Sequence, residues 1–259
     1  MTAADIIRIE NNEDSIARYE EVLLRRDNLR KKAEQYQISY FKVFGDLLVE
    51  SFRIRVECIR KKKIIAYCQQ QINHGRKISG AQLDHYIMSE MEEYRDELDA
   101  MIRHNLAVKA SEKISDFDEL KVKKLYYALA KLIHPDLHPE NQDDSRLMDY
   151  WNSIVLAYEH NMLTDLEELD FQVRKYLEDK GGKTSELVIP DLPQKIAKVE
   201  AEIERITGTD PYLYRLILED TEAINAKKDD LKDEIQTYKN YSEQLDEVIS
   251  QFDIERNYS

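Results

Sequence analysis

The sequence predicts an all-α fold in which a short helical hairpin is embedded between long antiparallel coiled-coil helices. Three observations predict it. Only six glycines and five prolines occur in 259 residues, and charged residues make up 35%; with Glu, Lys, Arg, Leu, Ile and Ala dominating, this is a helix-forming composition. From about Asp14 to Ile72 there is no proline and one glycine, Gly45. Between Leu120 and Leu169, two runs of apolar residues at three- and four-residue spacing flank a polar, proline-containing segment, the pattern of two amphipathic helices and a tight loop.

The elements follow in order. Tyr40, Phe44, Leu47, Ile54, Cys58, Ile65 and Ile72 fall on heptad-like spacings, while Arg26 and Arg30 interrupt the earlier stripe of Ile16, Tyr19 and Leu23. Such a helix needs a partner for its seam, within the chain or in a second copy. Gly45 weakens it by about 1 kcal/mol relative to Ala and allows a neighbour to approach closely. Gly75 stops it. Ser79-Gly80-Ala81-Gln82 matches a capping box and opens a helix expected to run to about Val108. Asp116 to Glu119 supplies the next cap, and that helix must stop near Ile133, because the residue before a proline is pushed out of the α region. Asp143-Asp144-Ser145 offers caps for a further helix, and Thr164-Asp165-Leu166-Glu167 for one running to about Asp179. The expected organisation is a helical arm over 1–110, a hairpin module over 111–180, a linker over 181–190 around Gly181-Gly182, and an acidic helical hairpin over 191–259. Within that last segment, Asp210-Pro211 reads as a cap and first turn.

Charge and cysteine content exclude several classes. The net charge is −14, of which residues 184–259 carry −9 (18 Asp/Glu against 9 Lys/Arg), leaving −5 for the rest. Such a surface repels phosphate backbones, so nucleic acid is not an expected partner. The basic run Arg60-Lys61-Lys62-Lys63 reads as a solvated helix face with acidic neighbours. Cys58 and Cys68 lie ten residues apart on one helix, about 15 Å along its axis and too far for a disulfide or a shared metal. A reducing, cytoplasmic setting is the simplest expectation. No apolar run approaches the roughly 20 residues of a membrane span, so no membrane partner is expected.

The segment carrying chemistry is His134-Pro135-Asp136, followed by Leu137-His138-Pro139. A metal site built from His134, Asp136 and His138 is disfavoured: Pro135 forbids the helical i,i+4 geometry, and no further ligand is near in sequence. Acid–base catalysis by His134 with Asp136 lacks a nucleophile or a substrate pocket. No enzyme activity and no cofactor are expected. The plain alternative makes Pro135 a helix stop, Asp136 a loop cap and His134 a polar end residue.

Set between those two helices, however, the segment resembles the J-domain (DnaJ-like) co-chaperones. In that family a basic amphipathic helix runs into a His-Pro-Asp loop, and a second helix packs antiparallel against the first. Here Lys123 to Ile133 occupies the first helix, with Tyr126, Leu129 and Ala130 at the family's aromatic, leucine and alanine positions and Leu125 beside them. Trp151, Ile154, Ala157 and Tyr158 match the core of the second. The resemblance covers roughly residues 112–165. It implies binding to the ATP-bound state of a DnaK-type chaperone and stimulation of its ATPase. His134, Pro135 and Asp136 would form the stimulating loop, and Lys121, Lys123, Lys124 and Lys131 the docking charges.

The chain departs from the family pattern in places. Tyr127 and Ala128 stand where a Lys/Arg pair is usual, leaving residues 118–133 with four Lys against two acids, net +2. The family's Asp-Tyr-Tyr first-helix signature, its Gln-Lys-Arg-type string, its Gly/Phe-rich linker and its Cys-x-x-Cys zinc module are absent. The coiled-coil arms are expected to bind a client or to homodimerise. The alternative expectation is a scaffolding coiled-coil protein with a degenerate J-like fold and no stimulating activity.

Overall fold

A single helix, α1, runs from Ala3 to Asn73, as the lack of proline allows. It ends where Gly75 adopts a left-handed φ of 65°; there the Gly75 and Arg76 amides return to the carbonyls of Ile72 and Gln71 at 2.9 Å each, a termination that glycine permits because it has no Cβ. The computed structural model describes residues 3–110, 115–180 and 191–255; the Gly181-Gly182 linker lies outside them. After α1 come β1 (Ile78–Ser79), α2 (Gly80–Glu90), α3 (Glu92–Ala110), α4 (Asp116–Ile133), a 3-10 turn (Pro139–Asp143), α5 (Ser145–Glu159), α6 (Leu163–Asp179), α7 (Leu192–Gly208), α8 (Tyr214–Leu218), α9 (Thr221–Ile249) and β2 (Ile254–Glu255). The fold is all-α. Among the described residues, the strands amount to one short parallel pairing of Ile78 and Ser79 with Ile254 and Glu255.

Several boundaries differ from expectation, each for a local reason. Ser79 caps α2 by position, but its side chain makes no cap hydrogen bond. The helix expected to continue to Val108 breaks at Met91, whose φ and ψ are −107° and 3°. Arg95 stabilises the break, its guanidinium donating to the Met91 and Met88 carbonyls. The cap of α4 is Ser115, one residue before the acidic run: its hydroxyl accepts from the Asp118 amide at 3.1 Å and donates to the Asp118 carboxylate at 2.7 Å. Thr164 is not a cap, because α6 begins at Leu163. Pro211 does not open the last long helix; the short α8 intervenes, and Asp220 caps α9 by accepting from the Glu222 amide at 2.8 Å.

The chain forms two compact units, each assembled from distant parts of the sequence. One comprises Met1–Gln37 with Glu112–Tyr214, the other Ile38–Ser111 with Arg215–Ser259. Helices α7 and α9, expected to pair with each other, thus belong to different units.

In the second unit the seam of α1 follows Phe52, Val56, Ile64 and Cys68, all buried, and meets Leu83, Met91 and Ile78. Of the stripe read in the sequence, Tyr40, Phe44 and Cys58 are buried and Leu47, Ile54 and Ile65 half-buried, whereas Ile72 at its end is exposed. Gly45 does permit a close approach: a Cβ there would lie 2.0 Å from Asn105 Oδ1 and 2.9 Å from its Cγ. Asn105 is buried and donates to Asp46 at 3.0 Å. The basic run is matched by carboxylates, Arg60 with Glu57 and Lys63 with Glu90 at 2.7 Å each. Lys61 departs from the solvated reading, being buried, with its ammonium on Ser242 and Asp246. Cys58 and Cys68 are both free thiols and buried.

The first unit holds the hairpin. Its core joins Val122, Tyr126, Leu129, Ala130 and Ile133 of α4 to Leu147, Trp151, Ile154, Ala157 and Tyr158 of α5 and to Leu166 and Val173 of α6. Leu125 is partly buried against it. Each fully buried aliphatic or aromatic side chain here contributes about 1.5–3 kcal/mol. A second cluster unites Tyr19, Val22, Leu23 and Leu29 of α1 with Val199 and Ile203 of α7, and it includes Leu137.

Candidate functional site

The hairpin is antiparallel, as its aromatic contacts require. His134 at the end of α4 lies 4.5 Å in ring centroid from Trp151 near the start of α5. Tyr126, two turns earlier, stacks on Tyr158 near the end of α5 at 3.9 Å and 12°. Aromatic pairs of this kind add about 0.5–1.5 kcal/mol beyond buried area.

Pro135 ends α4 where expected. The His134 amide still closes the last turn on the Ala130 carbonyl at 2.9 Å, and the Leu137 and His138 amides fold back onto the His134 carbonyl at 3.0 and 2.8 Å. Gln142 holds the far side, donating to the Pro135 carbonyl at 3.0 Å. Helix α5 opens on Asp144, which accepts from the Arg146 and Leu147 amides and from Tyr176 of α6 at 3.0 Å. Lys180 pairs with the same carboxylate. The loop backbone is thus fixed at both ends.

His134 is not the polar end residue of the plain reading. It is 3% exposed, and its two ring nitrogens have different tasks. Nδ1 accepts from the Asp136 amide at 3.0 Å, so in the neutral ring the proton sits on Nε2. That nitrogen lies 3.7 Å from Asp27 Oδ2. Asp27 Oδ2 also accepts from the Tyr126 hydroxyl at 2.8 Å. Burial works to raise the Asp27 carboxyl, but His134, Arg26 and Tyr126 outweigh it and hold the group below the usual carboxylate range. Burial and the Asp27 charge in turn push the Tyr126 phenol far up.

Arg26 completes the arrangement. Its side chain is 10% exposed, and three carboxylates from three segments share it: Asp27 at 2.8 Å, Asp136 of the loop at 3.6 Å and Glu202 of α7 at 3.8 Å. Burial works to lower the guanidinium, the three carboxylates to raise it, and the net shift is upward. Asp136 is the outermost member, its side chain 44% exposed. The same side of the hairpin opens into a recess of about 430 Å³, lined among others by Arg26, Arg30, His134, Asp136 and Trp151.

The four lysines divide. Lys121 and Lys124 are exposed on the outer face of α4 beside exposed Phe117 and Leu120, with the Lys121 ammonium over the Phe117 ring at 4.4 Å. Lys123 lies over Tyr127 at 5.4 Å. Lys131 is turned toward α1 and pairs with Glu20 at 2.7 Å. Tyr127 is partly buried and its hydroxyl reaches the Leu24 carbonyl at 3.5 Å, so this departure from the basic pattern serves packing on α1. His138 is held locally, Nε2 donating to the Lys131 carbonyl at 2.7 Å. Among the described residues, no three His, Cys, Asp or Glu side chains converge as a metal site.

Sequence reasoning missed Arg26 and Asp27 as partners of the loop. The available signal was the pair of arginines interrupting the apolar stripe of α1. No helix among the described residues is long and apolar enough to cross a membrane. No family model, no curated protein and no solved structure matches the chain.

Proposed function

We propose that the chain is a J-domain-like co-chaperone that binds a DnaK-type chaperone and stimulates its ATPase through the His134-Pro135-Asp136 loop. The observation that carries the reading is the loop's placement at the turn of an antiparallel helix pair, with its backbone fixed on both sides and the Asp136 carboxylate at the surface. A half-exposed carboxylate on a rigid turn can make charge-assisted hydrogen bonds to a partner's arginine at little ordering cost. Lys121 and Lys124, beside Phe117 and Leu120, give α4 a basic and apolar outer face suited to an acidic docking surface, with Lys123 at its edge over Tyr127. These lysines steer association, which makes it salt-sensitive. Hydrolysis occurs in the partner, so the chain supplies no catalytic residue and needs no cofactor. A client is the expected ligand of the remaining helices, in a cytoplasmic setting.

A second reading, a scaffold with an inactive J-like hairpin, is favoured by one observation: Tyr127 and Lys131 face α1 and are engaged with Leu24 and Glu20. Single-turnover ATP hydrolysis by the DnaK-type chaperone of the same organism separates the two. Acceleration by the wild-type chain and its loss with His134→Gln is the outcome expected of a co-chaperone. No acceleration, or equal acceleration by His134→Gln, leaves the scaffold.

A further inference from the structure

The carboxylate that the proposed function offers to a partner already has a cation in the chain itself. Arg26 of α1 reaches Asp136 at 3.6 Å, Asp27 of α1 faces His134 at 3.7 Å, and Glu20 of α1 holds Lys131 at 2.7 Å. Leu137, next to Asp136, is 3% exposed within the cluster that joins α1 to α7. One helix therefore grips the loop through its carboxylate, its imidazole, its apolar residue and the preceding lysine.

The grip is uneven. The His134 and Leu137 contacts are deeply buried, whereas Asp136 sits at the rim and its 3.6 Å pair with Arg26 is looser than the 2.8 Å pair of Arg26 with Asp27. If Asp136 turns away, Arg26 keeps Asp27 at 2.8 Å and Glu202 at 3.8 Å. Release of Asp136 thus leaves no buried cation without a counter-charge, the situation that makes most buried ion pairs costly to open. Lys131, 57% exposed, can likewise leave Glu20 for solvent.

We propose that α1 is a built-in restraint on the His134-Pro135-Asp136 loop, in which Arg26 occupies Asp136 as a displaceable stand-in for a partner's arginine. The inference rests on the co-chaperone reading of that loop. A partner must compete with Arg26 for the carboxylate and with Glu20 for Lys131. The buried contacts of His134 and Leu137 still hold the loop, which opens more often once its rim carboxylate is untethered.

Two measurements on the full chain test this. Without partner, hydrogen exchange at the Asp136, Leu137 and His138 amides is compared in wild type, Arg26→Gln and Arg26→Lys. Arg26→Gln is expected to speed exchange at these amides about fivefold more than at Leu129 in α4, the scale of one ion pair with a half-exposed carboxylate, while the Leu129 amide reads the global cost of leaving buried Asp27 without its close cation. Arg26→Lys, which keeps the charge but loses the forked reach, is expected to be intermediate and guards against a folding defect. With the DnaK-type chaperone at subsaturating concentration, Arg26→Gln is expected to stimulate single-turnover hydrolysis about fivefold more than wild type, and Glu20→Gln less strongly in the same direction. Wild-type stimulation that Arg26→Gln leaves unchanged or lowers overturns the restraint and spares the co-chaperone reading, as does unchanged loop exchange. Faster loop exchange without stimulation by any variant or by wild type overturns both.

Discussion

Both units bury cations along α1, and they do so in opposite ways. Lys61, in the second unit, gives its ammonium to three acceptors on α9: the Ser242 carbonyl at 3.2 Å, the Ser242 hydroxyl at 2.7 Å and Asp246 at 2.5 Å. An ammonium has three donors, so each is used on one neighbouring helix, and the pairing fixes register. Arg26, in the first unit, is divided among three carboxylates on three segments, only one of them close. It can change partners without losing all of them. Lys31 is a third case, buried with no hydrogen-bond acceptor for its ammonium and resting 3.9 Å over the Tyr158 ring. The contrast separates a contact that holds helices together from one that can open at the loop.

The largest expected effect separates the two carboxylates directly. Asp27→Ala orphans the Tyr126 hydroxyl and His134 Nε2 and removes the nearest partner of Arg26, costing about 3–5 kcal/mol in urea denaturation. Asp246→Ala leaves the buried Lys61 ammonium without a counter-charge but keeps both of its Ser242 acceptors, and is expected to cost less, about 1–3 kcal/mol. Equal costs would erase the distinction. The Asp27 carboxyl is held below its usual range in the fold, so its contribution is present above about pH 4 and is lost as pH falls through the lower folded value. Acid melts of wild type and Asp27→Asn measure that difference.

Next is the close approach in the second unit. Gly45→Ala places a methyl 2.0 Å from Asn105 Oδ1 and is expected to lower stability by about 1–3 kcal/mol through overpacking. Thermal unfolding of Gly45→Ala with Asn105→Ala should recover most of the loss; no recovery would show that the clash lies elsewhere.

Lys31→Met is expected to stabilise the chain by about 1 kcal/mol, since a buried ammonium without an acceptor is replaced by an apolar chain, less its attraction to Tyr158. Burial brings the Lys31 ammonium down to about 8. Between that value and the unfolded value near 10.4 the unfolded state binds more protons, so wild-type stability gains a rising component with pH from this group. Denaturation at pH 7, 8.5 and 10 should show that component in wild type and its absence in Lys31→Met. Smallest of all, a double-mutant cycle on Arg26 and Asp136 should give a coupling below about 1 kcal/mol, as for exposed pairs. A coupling of several kcal/mol would make Asp136 a fixed structural partner and contradict its release.

The legible and illegible parts of this molecule differ in how far apart the cooperating residues are. Helix α4 and its end were readable because Leu125, Leu129, Leu132 and Ile133 share a face and Pro135 stops the helix for local steric reasons. Trp151, Ile154, Ala157 and Tyr158 were readable by the same periodicity. Gly45 announced a close neighbour, though not that it would be Asn105. The break at Met91 was not readable, because no glycine or proline marks it and the Arg95 guanidinium stabilises it through carbonyls. Nor was the partnership of Arg26 and Asp27 with the loop, since the two segments are more than a hundred positions apart and periodicity reports only which face is buried. Two arginines on an otherwise apolar stripe were the trace it left.

Asp136→Asn is the most direct test of the loop's role, because its side chain is half-exposed and its replacement leaves the His134, Trp151 and Leu137 contacts in place. In single-turnover hydrolysis with the DnaK-type chaperone, wild type is expected to accelerate ATP cleavage and Asp136→Asn, with an unchanged melting temperature, is not. Undiminished acceleration by Asp136→Asn would contradict that role.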